Sequence, residues 1–372
     1  MWITSSLKAA KAPTNIALGN FDGVHLGHQE VMAQILCNRP KSTSENVNCQ
    51  SVAAFHNDML TAGYSDLPSE FLSKKDSIKA ERHPPTEPER PFSDAYATVV
   101  TFSPHPHEYF SGVSRPLLTP VAEKAWQLEC LGIDQLVMLP FNQALAQMSP
   151  QDFVEKVLIE GLKAQRISVG SDFHFGKGRS GNAQKLMEIA AKHGVPVVQV
   201  PLKHERGDRI SSSRIREALQ SGQIESATEL LGRPYLLTGK VVQGRQLGRT
   251  IGFPTANLQV PDNKFLPRTG VYSVQVFGAD NPAQITPKTQ TNAKTSQPLP
   301  GVMNIGKRPT VEGKHLTIEV HVLNWSGNLY QKNLTIVLRD FIRPEQKFDS
   351  LDQLKAQIEK DAQQAIATLS RL

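Results

Sequence analysis

Residues 14–28 read TNIALGNFDGVHLGH, and this stretch carries the strongest fold signal in the chain. Residues 14–19 predict a short buried strand ending in glycine, and residues 26–37 predict a helix with apolar positions 31, 32, 35 and 36. A strand, a tight glycine turn and a helix in this order are typical of the start of a nucleotide-binding α/β domain.

The turn itself is suited to phosphate. Its glycines let the backbone approach an anion closely, and the helix start supplies N–H groups and positive potential. His25 and His28 are three residues apart, so they share one face and could stabilise charge on a phosphate. The alternative is two ordinary histidines near a loop; a metal site is disfavoured because no third ligand is near.

The α/β pattern continues through much of the first half. Strands are predicted at 97–102, 134–139, 166–170 and 195–200, with helices at 120–131, 150–162 and 182–193. This alternation predicts a parallel sheet covered on both faces. Residues 212–232 predict two short helices that close the domain.

From residue 235 the pattern becomes β-like, with Gly and Pro between the segments 235–243, 270–277, 301–305, 315–323 and 333–339. Helical periodicity returns only at 350–371. These features predict a small β structure, a barrel, followed by one C-terminal helix. The fold class is therefore α/β plus β.

Two polar stretches interrupt these patterns, 38–95 and 277–300, and together they hold 10 of the 25 prolines. We interpret 38–95 as a mostly flexible insertion, with a small docked helix around 66–80 as the alternative for part of it, and 277–300 as an insertion that extends a hairpin loop. The predicted organisation is an α/β domain at 1–210 containing the first insertion, linking helices at 211–233, and a β domain at 234–372 containing the second.

Composition narrows the classes of protein. The 372 residues carry 41 basic and 35 acidic side chains, a net charge of +6, without a basic stripe, so a nucleic-acid partner is disfavoured. No apolar run is long enough to cross a membrane, and the N-terminus lacks a leader pattern. Three scattered cysteines favour a reducing, cytoplasmic setting.

A second phosphate-type pattern follows the last predicted strand of the α/β domain. Residues 210–216 read ISSSRIR, with hydroxyls and arginine at a helix start. Such groups suit the phosphates that leave as pyrophosphate, although a serine there can equally be an N-cap.

The second domain contains two further candidates. Residues 244–258 read GRQLGRTIGFPTANL, a flexible basic segment in which Thr255 and Asn257 share one side and could complete a Mg²⁺ shell with ATP phosphates. In 315–323, Glu319 alternates with apolar residues; it is either part of a solvated face or a base that accepts a hydroxyl proton.

These motifs resemble a known family. Residues 19–28 and 210–216 look like the HxGH nucleotidyltransferases, and 101–106 (TFSPHP) and 169–181 look like the flavin segments of the prokaryotic bifunctional riboflavin kinase/FMN adenylyltransferases. GRTIGFPTANL, residues 302–310, Glu319 and the tail 341–358 resemble the riboflavin kinase domain. The resemblance implies a Rossmann-like first domain and a riboflavin-kinase barrel.

The resemblance also implies roles for individual residues. Catalysis falls to Glu319 in the kinase and to His25 and His28 in the adenylyltransferase. The adenylyltransferase ATP site comprises Asn20, Phe21, Asp22, Gly23, Gly27, Ser212, Ser213 and Arg216. Its flavin site comprises Pro104, Pro106, Asp172 and Phe175, and the kinase ATP site comprises Gly244, Arg249, Gly252 and Pro254, with Mg²⁺ at Thr255 and Asn257.

Some positions depart from the family pattern. Ser213 replaces a usual threonine and keeps the hydroxyl, and Ser103 stands where an acidic residue is usual. The 38–95 insertion is longer than the typical connection, which places nearby loop geometry in question.

The implied activity is conversion of riboflavin to FMN and of FMN to FAD, with ATP as the second substrate. Small molecules are the expected partners, with no nucleic acid or membrane and a possible transient homo-oligomer. Three alternatives remain: one live activity only, an adenylyltransferase for another phosphorylated cofactor precursor, and a nucleic-acid-binding protein.

Overall fold

The computed structural model describes residues 1–36, 95–205, 207–244, 247–279, 298–310 and 313–371. Among these, 1–36, 95–115 and 121–210 form one compact unit, while 116–120 and the residues from 211 onward form a second. Nearly all of the predicted insertion 38–95, and positions 280–297 of the insertion 277–300, lie outside the described residues.

The first unit is built on a six-stranded parallel sheet in the order β1-β4-β3-β2-β5-β8. Its strands, numbered along the chain, are β1 Trp2–Thr4, β2 Thr14–Leu18, β3 Tyr96–Ser103, β4 Gln135–Pro140, β5 Ala164–Gly170 and β8 Val197–Val200. Two short hairpins lie outside it: β6 His174–Phe175 with β7 Gly181–Asn182, and β9 His204–Glu205 with β10 Asp208–Arg209.

Helices and turns connect these strands. The α-helices are Leu26–Ala33, Pro106–Ser111, Val121–Cys130, Gln143–Ala146, Pro150–Asp152 and Ala183–Ala191. A π-helix spans Phe153–Gly161, and 3₁₀ turns span Leu7–Ala9 and Lys177–Arg179. The first helix ends four residues before the predicted 37, because Ile35 and Leu36 donate to carbonyls three residues back and tighten the last turn.

Two hydrophobic clusters cover the two faces of the sheet. In β2, Ile16 and Leu18 pack with residues of the 153–161 and 183–191 helices, whereas Ala17 packs on the opposite face with Met32. Side chains that alternate along a strand explain how one strand serves both clusters. The predicted parallel sheet covered on both faces is thus confirmed.

The strand order also defines where a ligand can bind. From β2 the chain builds β3 and β4 on one side, and then returns to place β5 and β8 on the other. This reversal is a topological switch point, and in open α/β sheets ligands bind beyond the carboxyl ends of the strands at such a point.

The second unit is a closed, antiparallel barrel in the order β11-β12-β15-β14-β13-β16. The strands are β11 Leu236–Val242, β12 Ala256–Gln259, β13 Gly270–Phe277, β14 Leu299–Thr310, β15 Gly313–Val322 and β16 Asn333–Arg343. Its helices are Ser212–Ser221, Ile224–Leu231, Leu247–Thr250 and Leu351–Leu369. The predicted barrel and C-terminal helix are confirmed, and the short strand β12 is additional.

The C-terminal helix is anchored to the barrel by an ion pair. Asp361, 2% exposed, accepts from the Arg343 guanidinium at 2.7 Å and 3.0 Å, and Ala365 packs with Val271 and Val302. Because the guanidinium bonds both carboxylate oxygens, the buried charges are compensated within the unit.

Candidate active sites

Three sequence-predicted segments lie at one edge of the sheet in the first unit. The turn 19–28 follows β2, residues 104–106 follow β3, and residues 171–175 follow β5. These three strands are adjacent, with β2 in the middle. Since their carboxyl ends meet at the switch point, the fold brings together the nucleotide-type turn and both flavin-type segments.

The turn after β2 has an unusual backbone. Phe21 and Val24 have φ of 50° and 43°, and Gly23 has φ of 89°. Left-handed φ is uncommon outside glycine and strained for a β-branched valine. Phe21 and Val24 are also 1% exposed, so their side chains anchor the turn in the core.

The two histidines lie against each other at the helix start. Their ring centroids are 3.5 Å apart with an interplanar angle of 15°. His25 is the N-cap, and its Nδ1 accepts from the His28 N–H at 3.3 Å. In the neutral tautomer, this arrangement places the His25 proton on Nε2. Gly27 lets the His25 ring lie close to the backbone, since a Cβ on Gly27 would be 3.3 Å from that ring.

Two side chains of the first unit donate hydrogen bonds to the backbone of the turn. The Asn20 carbonyl accepts from the Thr101 hydroxyl at 3.1 Å and from Lys124 Nζ at 3.0 Å. Asp22 is 6% exposed. This turn carries the predicted ATP-site residues Asn20, Phe21, Asp22, Gly23 and Gly27. Lys124 is a further neighbour of the turn. The sequence did not point to it, because a lysine in a helical pattern is expected at the surface.

The flavin-type segment after β3 caps a short helix. His105 Nδ1 accepts from the His107 N–H at 3.0 Å, and Glu108 accepts from the His105 N–H at 3.1 Å. Burial lowers the pKa of His105, and the positive charges of Arg115 and Lys124 lower it further against Glu108 and Asp22. Pro104 and Pro106 flank this histidine.

An aromatic cluster begins beside the prolines. Tyr109 and Phe110, 38% and 71% exposed, each lie edge-on to Phe141 with centroids 5.3 Å and 5.8 Å away. Phe141 in turn contacts Phe102 at 5.8 Å. Exposed aromatic rings next to a predicted flavin segment form a surface on which a planar ring can stack, and the sequence pattern did not single them out.

The two predicted flavin-site residues in the segment after β5, Asp172 and Phe175, differ in how exposed they are. Asp172 is exposed and forms an ion pair with Arg209, a residue not predicted to be part of the site. Phe175 is 6% exposed and packs with Phe153 in the core at 5.5 Å, whereas the neighbouring Phe173 is half-buried and stacks on it.

The ISSSRIR segment begins at Ile210, the last residue of the first unit, and its residues 211–216 lie in the second unit. Ser211 is the N-cap of Ser212–Ser221 and accepts from the Arg214 N–H at 3.3 Å, while Ser213 is exposed in the first turn. Arg216 is 9% exposed; its guanidinium donates to the carbonyls of Ser212 and Pro116 and lies 5.6 Å from the Phe265 ring centre.

The candidate base of the second unit is flanked by two amides. Glu319 in β15 pairs directly with Asn257 in β12 and with Asn304 in β14. Directly opposed residues of an antiparallel pair share one face of the sheet. Ile318 and Val320, at 3% and 0% exposure, face the other way, so the predicted alternation is confirmed at Glu319. Asn304 is a further neighbour of Glu319, and only the pairing register of β14 with β15 reveals it.

Glycines make room beside the predicted metal ligands. A Cβ on Gly244 would lie 2.1 Å from the Asn257 amide nitrogen, and one on Gly248 would lie 3.4 Å from the Thr255 hydroxyl oxygen. Gly252 has φ of 92° and Pro254 directly precedes Thr255. The side chain of Arg249 lies outside the described residues.

His321 supports this segment from the same face as Glu319. Its Nδ1 lies 2.8 Å from the Pro254 carbonyl oxygen, and its ring meets Phe253 edge-on at 5.7 Å. A proton on Nδ1 makes this contact a hydrogen bond to the segment that carries Thr255. In the described part of the chain, no group of three or more His, Cys, Asp or Glu side chains could hold a metal by itself.

Comparison with known proteins identifies both units. A riboflavin kinase family model matches residues 231–369, and a FAD synthetase model matches 7–71 and 91–214. Bifunctional riboflavin kinase/FMN adenylyltransferases from Pseudomonas fluorescens and Bacillus subtilis are 33% and 32% identical, covering 94% and 98% of this chain and 91% and 96% of their own. The Escherichia coli K12 enzyme is 39% identical over 71% of this chain and 79% of its own.

A solved structure shares the fold along almost the full length. The crystal structure described as a macrolide-efflux protein from Streptococcus pneumoniae has a TM-score of 0.68 and 26% identity, covering 97% of both chains. In the described ranges, no helix combines the length and apolarity needed to cross a membrane. The efflux description applies to that protein, whereas both family models and these curated relatives name flavin enzymes.

Proposed function

The chain belongs to the bifunctional riboflavin kinase/FMN adenylyltransferase family, and from this premise we propose how its residues divide the work. The second unit phosphorylates riboflavin to FMN, and the first unit adenylylates FMN to FAD with release of pyrophosphate. The observation that best supports the adenylyltransferase assignment is the meeting of three motif-bearing loops at the switch point of the first unit.

In the first unit, the FMN phosphate attacks the α-phosphorus of ATP. His25 Nε2, His28 and the N–H groups of the turn donate to phosphate oxygens as negative charge builds on them. The family resemblance assigns the leaving pyrophosphate to Ser212, Ser213 and Arg216, and this assignment stays a prediction from the sequence. Both reactants are held for in-line displacement, so positioning and electrostatics supply the catalysis without a covalent intermediate.

On the flavin side, the residues that we assign to contact with FMN are Pro104, Pro106 and Asp172. The exposed rings of Tyr109 and Phe110 extend this surface for an isoalloxazine ring. We assign Phe175 to the wall behind the site, because its ring is buried against Phe153.

In the second unit, Glu319 accepts the proton of the riboflavin 5′-hydroxyl as its oxygen attacks the γ-phosphorus of ATP. Its neighbours Asn257 and Asn304 are neutral, so they can orient substrate without competing for that proton. Gly244, Gly252 and Pro254 shape the segment that wraps the nucleotide, and Arg249 adds positive charge in that part of the sequence.

A Mg²⁺ site fits the residues present. The Thr255 hydroxyl and the Asn257 amide carry hard oxygen donors, and the lack of a side chain at Gly244 lets the Asn257 amide take its place there, since a Cβ on Gly244 would overlap it. Mg²⁺ takes few protein ligands and completes its shell with water and substrate phosphates. When bound with ATP, it would neutralise charge on the transferring phosphoryl group.

Chromatographic analysis of the flavins tests both assignments. Purified protein is incubated with riboflavin, ATP and Mg²⁺, and separately with FMN, ATP and Mg²⁺. The expected products are FMN followed by FAD in the first mixture and FAD in the second. If FMN alone accumulates and added FMN stays unchanged, the adenylyltransferase assignment fails; if riboflavin stays unchanged, the kinase assignment fails.

A further inference from the structure

A buried lysine lies beneath the catalytic turn of the first unit. Lys124, in the helix Val121–Cys130, is 9% exposed. The same helix buries Ala125 and Leu128 completely, so it is a core helix. An ammonium group inside such a core costs free energy unless its charge and its donors are satisfied. Its presence there calls for a compensating role.

The compensation comes from the turn. Lys124 Nζ donates to the Asn20 carbonyl at 3.0 Å, and the Asp22 carboxylate favours the charged form of the ammonium. Burial acts in the opposite direction and lowers the Lys124 pKa overall. The same ammonium is one of the charges that lower the pKa of His105 in the segment after β3. Lys124 is thus within electrostatic reach of two of the three loops.

The turn needs such support because its backbone is strained. Immediately after Asn20, the residues Phe21, Gly23 and Val24 all have positive φ. A strained conformation persists only when surrounding contacts determine it. The Asn20 carbonyl, at the entrance to the turn, accepts two hydrogen bonds, one neutral from Thr101 and one charged from Lys124. Charge-assisted bonds are the stronger class.

We propose that Lys124 is a positioning residue for adenylyl transfer: its buried ammonium holds the Asn20 carbonyl and keeps the strained turn in the conformation that presents His25 and the helix N–H groups to ATP. This inference rests on the proposed adenylyltransferase function. Lys124 acts through the turn, so its loss slows FAD formation without touching the kinase unit.

Three substitutions in the full-length protein separate the contributions. Lys124→Met removes charge and donor at similar length, Lys124→Gln keeps a donor without charge, and Thr101→Val removes only the neutral donor. FAD formation from FMN gives kcat and KM for ATP, and FMN formation from riboflavin serves as the internal control. Thermal unfolding of each variant reports stability separately.

We expect Lys124→Met to lower kcat for FAD formation by about tenfold to a hundredfold, as the loss of a charge-assisted hydrogen bond implies. Lys124→Gln should fall between Lys124→Met and the unmodified protein, and Thr101→Val should lose less than Lys124→Met. The rate of FMN formation should stay within about twofold of that of the unmodified protein in all three variants.

A spectroscopic readout tests the electrostatic part without turnover. The His105 ring is followed by NMR over pH and assigned with His105→Gln. Since the Lys124 charge acts together with Arg115 to lower this pKa, against Glu108 and Asp22, removing it in Lys124→Met should raise the His105 pKa.

Two outcomes would overturn the inference. One is an unchanged kcat and KM in Lys124→Met. The other is a loss of FAD formation matched by equal losses of kinase activity and thermal stability in both Lys124 variants, which would indicate a purely structural lysine. If the unmodified protein makes no FAD from FMN, the proposed function itself fails, and that result does not depend on any Lys124 variant.

Discussion

In the first unit the two candidate catalytic histidines come from one contiguous turn, whereas in the second unit Glu319 stands between Asn257 and Asn304 on neighbouring strands. The turn stores backbone strain and depends on buried donors such as Thr101. In the barrel site, the hydrogen-bond register of the strands decides which residues are neighbours. One site can therefore be damaged by loosening a loop, and the other by changing a side chain or its spacing.

The largest effect is expected at the base of the barrel site. Glu319→Gln should lower the rate of FMN formation from riboflavin by about a hundredfold to ten-thousandfold, because the amide cannot accept the proton. FAD formation from added FMN should stay unchanged. Both products are measured by chromatography.

Glu359→Gln, on the exposed face of the C-terminal helix, is the matched control and should leave both rates unchanged. A Glu319→Gln enzyme that retains full kinase activity would remove Glu319 from catalysis.

The next effect is expected in the turn. His28→Ala should lower FAD formation by about a hundredfold to a thousandfold, as for loss of one donor to a developing anion. FMN formation should persist, which a coupled assay starting from riboflavin would show as accumulated FMN.

His193→Ala is the control, since His193 pairs with Glu155 away from the turn. Equal loss of both activities in His28→Ala would indicate that the two sites are not independently built.

A smaller effect is expected from spacing alone. Gly244→Ala places a Cβ where the Asn257 amide lies, 2.1 Å away, so that side chain must move. A displacement of this size should lower kinase kcat/KM by about tenfold to a hundredfold. FAD formation from FMN serves as the internal control, and an unaffected kinase would show that Asn257 need not keep its place.

The smallest effect is expected at the support of the nucleotide segment. His321→Ala removes the hydrogen bond to the Pro254 carbonyl and should reduce kinase kcat/KM by about fivefold, the usual value of one neutral hydrogen bond. His321→Asn, whose amide can donate, should recover part of the loss. Identical kinetics for the two variants would argue against the hydrogen bond.

The same contrast explains how much the sequence could predict. The α/β alternation and the β-like segments after residue 235 are local patterns, and they predict the parallel sheet and the barrel. The three-residue spacing of His25 and His28 likewise predicts that they share one face, and their rings lie stacked. Asn304 was missed as a neighbour of Glu319 because only strand register brings them together. Lys124 was missed because its burial depends on tertiary packing that no period in the sequence encodes.

Burial likewise separated two residues that the motif treated alike. Asp172 and Phe175 lie in one segment, but the carboxylate is exposed and the ring is packed against Phe153. A pattern of residue types cannot report which of two nearby side chains turns inward, since that depends on the helix packed behind them.

The closure of the barrel has a consequence for substrate choice. Each strand carrying Asn257, Glu319 or Asn304 is hydrogen-bonded on both sides, and neighbouring strands are held about 4.8 Å apart. The Glu319 carboxylate is therefore held in place and cannot shift toward a hydroxyl that is bound at a different distance from it. Because of this rigidity, the barrel should select alcohol substrates by the length of the side chain that carries the reacting oxygen.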